Sequence, residues 1–188
     1  MTDRPLWAPW RIEYITGPKD GECIFCAAAS SSNHDPKAPP SGAADPRPKA
    51  PPPGAADPLR IHQPIDRTEH CLTILNAYPY APGHVMVAPV RHVATIEDLG
   101  EAEMLDTMRL ARRAILAIRK GMSPDGFNLG WNQGKVAGAG IADHLHLHVV
   151  PRWNGDTNFM PVLNGTNVIP QALEATRDVL VEAITGVE

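Results

Sequence analysis

The chain has 188 residues, 43% of them hydrophobic and 20% charged, which is enough material for one ordinary globular core. A formal charge of -4 provides no overall basic field, so nucleic acid held by charge neutralisation is excluded as the main partner and any phosphate site must be local. No stretch approaches the roughly 20 uninterrupted apolar residues of a membrane helix, and residues 1–5 lack the apolar core of a secretory signal; a cytoplasmic protein with no membrane partner is expected.

Residues 1–29 read as an N-terminal arm. Its Trp7 and Trp10, together with Trp153 of the domain, are read as packing the arm on the domain in preference to base stacking, because large aromatics contribute mainly through buried area. Cys23-Ile24-Phe25-Cys26 has the two-residue spacing that lets two thiolates chelate one tetrahedral ion, but one such pair is half a site. A reduced, metal-free pair remains the alternative. An odd total of three cysteines fits a reducing compartment better than a disulfide framework, and Cys71 reads as a small core residue.

Residues 30–60 are rich in Pro, Ala, Gly, Asp and Ser. They contain a tandem repeat, 37–48 followed by 49–60, with nine of twelve positions matching. Two short polar copies cannot stack into a solenoid, and proline blocks both helix and sheet ladders. A disordered insertion arising by duplication is expected, with a proline-recognition ligand as the alternative.

The ordered domain is expected over 61–188. Residues 71–76 read as a strand, 78–83 as a turn and 84–89 as a second strand, which together make an antiparallel pair. From 101 to 120, Met104, Leu105, Met108, Ala111, Ile115 and Ile118 recur at helical spacing and define the predicted apolar face; Gly121 stands where the helix would close. Phe127, Leu129 and Trp131 alternate as in a strand. A glycine-rich loop, 134–140, then leads to the strand 144–150, and residues 170–184 form a last amphipathic helix. Paired strands, a helix and paired strands again predict an α+β fold with an antiparallel sheet.

In an extended strand, side chains two apart share a face and lie about 6.5 to 7 Å apart along it. His144, His146 and His148 therefore line one side, while Leu145, Leu147 and Val149 are expected to anchor the other in the core. An exposed polar strand face and a plain zinc site are the bland readings. The functional reading rests on imidazole chemistry: a neutral ring is a nucleophile toward phosphorus near pH 7 and leaves readily once protonated.

The segment His144-Leu145-His146-Leu147-His148-Val149-Val150, with its preceding glycine loop, resembles the signature of the histidine triad (HIT) superfamily. Leu75-Asn76, Pro82-Gly83-His84, the loop containing Asn132 and Pro151-Arg152 follow in that family's order. The resemblance implies that His146 is the nucleophile on an α-phosphate, forming a nucleotidyl-histidine intermediate. His148 would hold the phosphate oxygens and His144 would orient the strand or serve a metal. It likewise implies Asn76 as a ribose contact, although a strand-end Asn also suits a turn. His84 would lie behind the active strand in the nucleotide site, Asn132 would contact the phosphate chain, and Gly138 and Gly140 would bring backbone amides to phosphate.

Where many family members carry Gln-Ser or Gln-Thr, this chain has Gly140-Ile141, so backbone contacts would replace side-chain ones. Zinc-bearing members imply His92 and His144 as the partners of Cys23 and Cys26, in a structural zinc site; His62 and His70 are alternative ligands. No organic cofactor is expected. The flanking segments 6–15 and 151–160 resemble the prokaryotic branch containing diadenosine tetraphosphate phosphorylases. That resemblance implies a dinucleoside polyphosphate substrate, a homodimer, and either inorganic phosphate or water as acceptor, with Lys135 and Arg152 as candidate phosphate anchors. A nucleoside phosphoramidase, and a nucleotide-binding protein with little turnover, are the competing functions.

Overall fold

The computed structural model describes residues 23–30, 61–156 and 172–187. The tandem repeat, Trp7, Trp10 and the start of the expected last helix lie outside these residues. Five strands form one sheet: β1 (Asp66–Arg67), β2 (Cys71–Leu75), β3 (Val85–Pro89), β4 (Gly126–Trp131) and β5 (Leu147–Arg152). Their order is β1-β2-β3-β5-β4, and every neighbouring pair is antiparallel. Among the described residues three α-helices accompany them: α1 (Ile24–Ser30), α2 (Glu101–Met122) and α3 (Leu173–Ile184). The α+β arrangement is the one expected. None of these helices is long and apolar enough to cross a membrane.

β2 and β3 are buried along their whole length because both sheet faces are covered. One side-chain parity, Leu75, Val85, Val87, Leu147 and Val149, packs with Leu110, Ala114 and Ile118 of α2 and Leu180 of α3. The other, Leu72, Ile74, Met86 and Ala88, packs with Phe25 and Ala28 of α1. The period-two alternation of a strand thus divides the molecule into two layers of contacts. Pairing of Met86 with His148 places that histidine on the α1 face.

The tight β2–β3 connection is built by its polar and special residues. Asn76 Oδ1 accepts the Tyr78 N–H at 2.8 Å, an Asx turn, and the Asn76 N–H donates to the His84 carbonyl at 3.0 Å. Gly83 turns the chain at φ +77, where a side chain would be strained and its Cβ would meet Met122 Sδ at 2.8 Å.

The structure corrects three expectations. The strand expected over 144–150 begins at Leu147 and runs to Arg152. Pro89 has no N–H to continue the ladder; its carbonyl instead accepts the His144 Nε2–H at 2.9 Å, and the Leu145 N–H donates to the Val93 carbonyl at 2.7 Å. Leu145 accordingly packs with Val93 and Leu99 in a satellite cluster, not in the main core. Gly121 does not close α2, which runs to Met122 and ends at Ser123, a left-handed C-cap at φ 50. Gly121 is a packing position: a Cβ there would lie 2.5 Å from Val179 Cγ1 of α3.

The apolar face of α2 is also turned from the expected one. Met104, Leu105 and Met108 are 43%, 52% and 51% exposed, whereas Glu103, Asp106, Thr107 and Leu110 are buried. Partners explain the polar burial. Glu103 takes the Arg91 guanidinium at 2.7 and 3.0 Å and the Gly100 N–H at 2.8 Å, which also caps the helix start. Thr107 meets the Cys71 thiol at 3.4 Å, and burial pushes that thiol up to about 11, an unreactive core cysteine.

Candidate active site

His146 is 4% exposed and His144 fully buried, while His148 is half-buried. The His146 Nδ1 lies 2.8 Å from the His144 carbonyl, which can only accept, so Nδ1 carries the proton. The remaining ring nitrogen, Nε2, keeps its lone pair. Burial lowers the His146 pKa from the ordinary imidazole value, with the bond to the His144 carbonyl opposing, so the neutral ring is the favoured form at pH 7.

A second chain of hydrogen bonds sets His148. The Tyr80 N–H donates to His84 Nδ1 at 3.1 Å, leaving the proton on His84 Nε2. That nitrogen lies 3.0 Å from His148 Nδ1 and donates to it, so a neutral His148 carries its own proton on Nε2. The Tyr80 ring stacks on His84 at 5.1 Å, and the His146 and His148 rings meet edge-on at 4.8 Å. One ring therefore offers a lone pair and its neighbour a donor.

Both rings line a cavity of about 240 Å³. Gly138, Gly140 and Ile141 of the glycine loop and Asn76 also border it, with Ile24, Met86 and His62 contributing to the wall. The positive φ of Gly138, +84, is a conformation that suits glycine. Fully buried His84 stands outside the lining and acts on it through His148. Asn132 is also outside: its Nδ2 reaches the Gly138 carbonyl at 3.5 Å and braces the loop from behind. Asn76 borders the cavity, but its oxygen is committed to the turn and its Nδ2 lies 3.3 Å from His84 Nδ1. Arg152, at the far end of β5, is held by Asp156 and Asn128, and neither it nor Lys135 is a lining residue.

On the same sheet face, Cys23, Cys26, His92 and His144 bring one ligand atom each to within 4.8 Å of one another. Cys23 Sγ is 3.3 Å from His144 Nδ1, Cys26 Sγ is 3.2 Å from His92 Nδ1 and 3.7 Å from His144 Nδ1. Tetrahedral zinc with ordinary Zn–S and Zn–N bonds would set sulfur and nitrogen about 3.5 Å apart. His144 gives its Nε2–H to the Pro89 carbonyl, so its Nδ1 is free of a proton, and burial pushes its pKa down to about 4. Two thiols and two imidazoles are a donor set that fits a metal. His70 and His62 are not in the cluster.

A family model described as the HIT domain matches residues 62–155, half of the chain. The chain belongs to the HIT family. It is 38% identical over 175 residues to an AP-4-A phosphorylase of Mycobacterium tuberculosis, covering 93% of this chain and 81% of that protein. It is 34% identical over 90 residues to the asymmetrical bis(5'-nucleosyl)-tetraphosphatase of Schizosaccharomyces pombe, covering 48% and 49%. Among solved structures, a zinc-bound histidine triad family protein from Mycobacterium smegmatis superposes with a TM-score of 0.59 at 27% identity, covering 87% of this chain and 94% of that one.

Reading the HIT signature alone misses Ile24, Phe25, Met86 and His62. Ile24 and Phe25 sit inside the Cys-x-x-Cys spacing, where the thiols draw attention from the residues between them. Met86 was signalled only by strand parity, since it pairs with His148. His62 follows the fully buried Ile61, and burial lowers its pKa.

Proposed function

We propose that this HIT protein is an enzyme that cleaves dinucleoside polyphosphates through a nucleotidyl-His146 intermediate, with inorganic phosphate as the acceptor. The observation that carries the chemistry is the His146 Nδ1–H bond to the His144 carbonyl, which leaves Nε2 as the nucleophilic atom beside the cavity. His146 Nε2 forms a bond to the α-phosphorus as the bond to the leaving nucleoside polyphosphate breaks. The His148 Nε2–H, set by His84, stabilises the phosphate oxygens, and backbone amides of the glycine loop supply further donors in place of the Gln-Ser side chains. Phosphate oxygen then displaces the imidazole, releasing a nucleoside diphosphate. Similarity over 93% of the chain to an AP-4-A phosphorylase favours phosphate over water as that acceptor.

Cys23, Cys26, His92 and His144 would hold zinc. Bound there, zinc supplies structural cross-linking between α1 and the sheet. A homodimer is the assembly that suits the exposed Met104, Leu105 and Met108 on α2 and the place of β4 at the end of the strand order among the described residues; analytical ultracentrifugation of the wild type and of Leu105→Glu tests it, and a monomeric wild type removes it.

The deciding assay supplies diadenosine tetraphosphate with and without phosphate and follows the products. ADP with ATP, appearing only with phosphate, is the expected result. AMP with ATP in water assigns an asymmetric hydrolase instead. No product from this substrate, but turnover of an adenosine phosphoramidate, assigns a phosphoramidase; no turnover of either leaves a binding protein. Native mass spectrometry reads the metal, with one zinc per chain expected.

A further inference from the structure

Phe25 is fully buried and lies between the two cysteines on α1. Its ring centroid is 5.0 Å from that of His144 and 4.9 Å from that of His146. It is not part of the cavity wall, although its neighbour Ile24 is. Its contact with the triad is therefore made from outside the space a substrate would fill.

An imidazole turns about a broad, roughly two-fold χ2, and a half-turn of the His146 ring would exchange Nδ1 with a carbon and break the bond to the His144 carbonyl. The edge contact of His148 at 4.8 Å limits one side. Phe25, inclined at 36°, limits another. Phe25 is itself fixed by chain position: Cys23 reaches His144 Nδ1 at 3.3 Å and Cys26 reaches His92 at 3.2 Å, one on each side of it.

We infer that Phe25 is a positioning residue for the nucleophile, holding the His146 ring in the orientation that keeps Nδ1–H on the His144 carbonyl and aims Nε2 at the cavity. This rests on His146 being the nucleophile. The segment that carries Cys23 and Cys26 then has a second task, setting the angle of attack. Because Phe25 lies outside the cavity, its loss should slow the chemical step while leaving substrate affinity in place. Misplacement of a reacting group by about 1 Å can cost about 100-fold in rate.

The test compares Phe25→Ala and Phe25→Leu with the wild type on diadenosine tetraphosphate plus phosphate, after thermal melts and metal content have been recorded. Phe25→Ala should lower kcat about tenfold or more with KM within about twofold, and Phe25→Leu, which restores bulk but not the flat ring inclined on His146, should leave kcat several-fold low at constant KM. Nitrogen-15 spectra of the His146 ring should show one Nδ1-protonated tautomer in the wild type and a mixture in Phe25→Ala. An unchanged kcat and tautomer in a folded Phe25→Ala, or a loss confined to KM, overturns the inference. If the alanine variant does not fold, Phe25→Leu decides alone: a several-fold lower kcat at constant KM supports positioning, and wild-type kinetics overturn it. His146→Ala in parallel separates the two ideas. Turnover retained there sinks the nucleophile reading and this one together, whereas an inactive His146→Ala beside a normal Phe25→Ala sinks only this one.

Discussion

On the α2 and α3 face of the sheet, Val85, Val87, Leu147 and Val149 meet Leu110, Ala114, Ile118 and Leu180 in a continuous apolar layer. On the α1 face a smaller cluster, Leu72, Ile74, Met86 and Ala88 under Phe25 and Ala28, is buried, and beside it stand five histidines and two thiols tied by hydrogen bonds. The same two strands serve both. Alternation within β5 sends Leu147 to one layer and His148 to the other. Apolar packing is thus concentrated on one face and imidazoles and thiols on the other, and substitutions should separate along that division.

The largest expected effect is His146→Ala, which should lower kcat at least about 10⁴-fold in steady-state assays while the melting curve stays near that of the wild type. A collapse of stability there would break the division. Leu110→Ala on the opposite face should cost about 2–5 kcal/mol in denaturant unfolding with kcat of the folded fraction unchanged. His84→Ala tests the boundary between the two, since His84 is fully buried yet bonded to His148. It should reduce kcat about 10- to 100-fold, with a smaller stability loss than Leu110→Ala.

The smallest effect belongs to the Arg91–Glu103 pair. The Arg91 hydrogen bond holds the Glu103 carboxyl below its ordinary value. A folded-state pKa that is depressed stabilises above the ordinary carboxylate range and loses that contribution as pH falls through the depressed value. Glu103→Gln should therefore cost no more than about 1 kcal/mol near neutrality, Arg91 being over half exposed, and the two unfolding free energies should converge in acid. A difference that grows as pH falls would contradict the assignment.

What was legible in the sequence follows from how local each signal is. The histidine alternation, the two cysteines and the hairpin turn at Pro82-Gly83 are patterns of two to four residues, and they were readable as such. The face of α2 was not. Its buried Glu103 and Thr107 look polar in sequence because their partners, Arg91 and Cys71, lie 12 and 36 residues away. Meanwhile Met104, Leu105 and Met108 look like core residues while facing outward. The start of β5 depended on a distant proline, Pro89, whose missing N–H no inspection of 144–150 could reveal. The contact of Asn132 Nδ2 with the Gly138 carbonyl, six residues on, was likewise not legible, because the loop path that brings that carbonyl back is set by the fold.

The family model begins its match at residue 62, yet the segment from Cys23 to Ser30 supplies Ile24 to the cavity wall and Cys23 and Cys26 to the Cys/His cluster. The candidate site therefore extends beyond the residues that the HIT family model matches. A fragment cut at that boundary would keep all three triad imidazoles and lose one side of their enclosure. Surveys that assign competence from the triad alone would credit such a fragment with a site it only half contains.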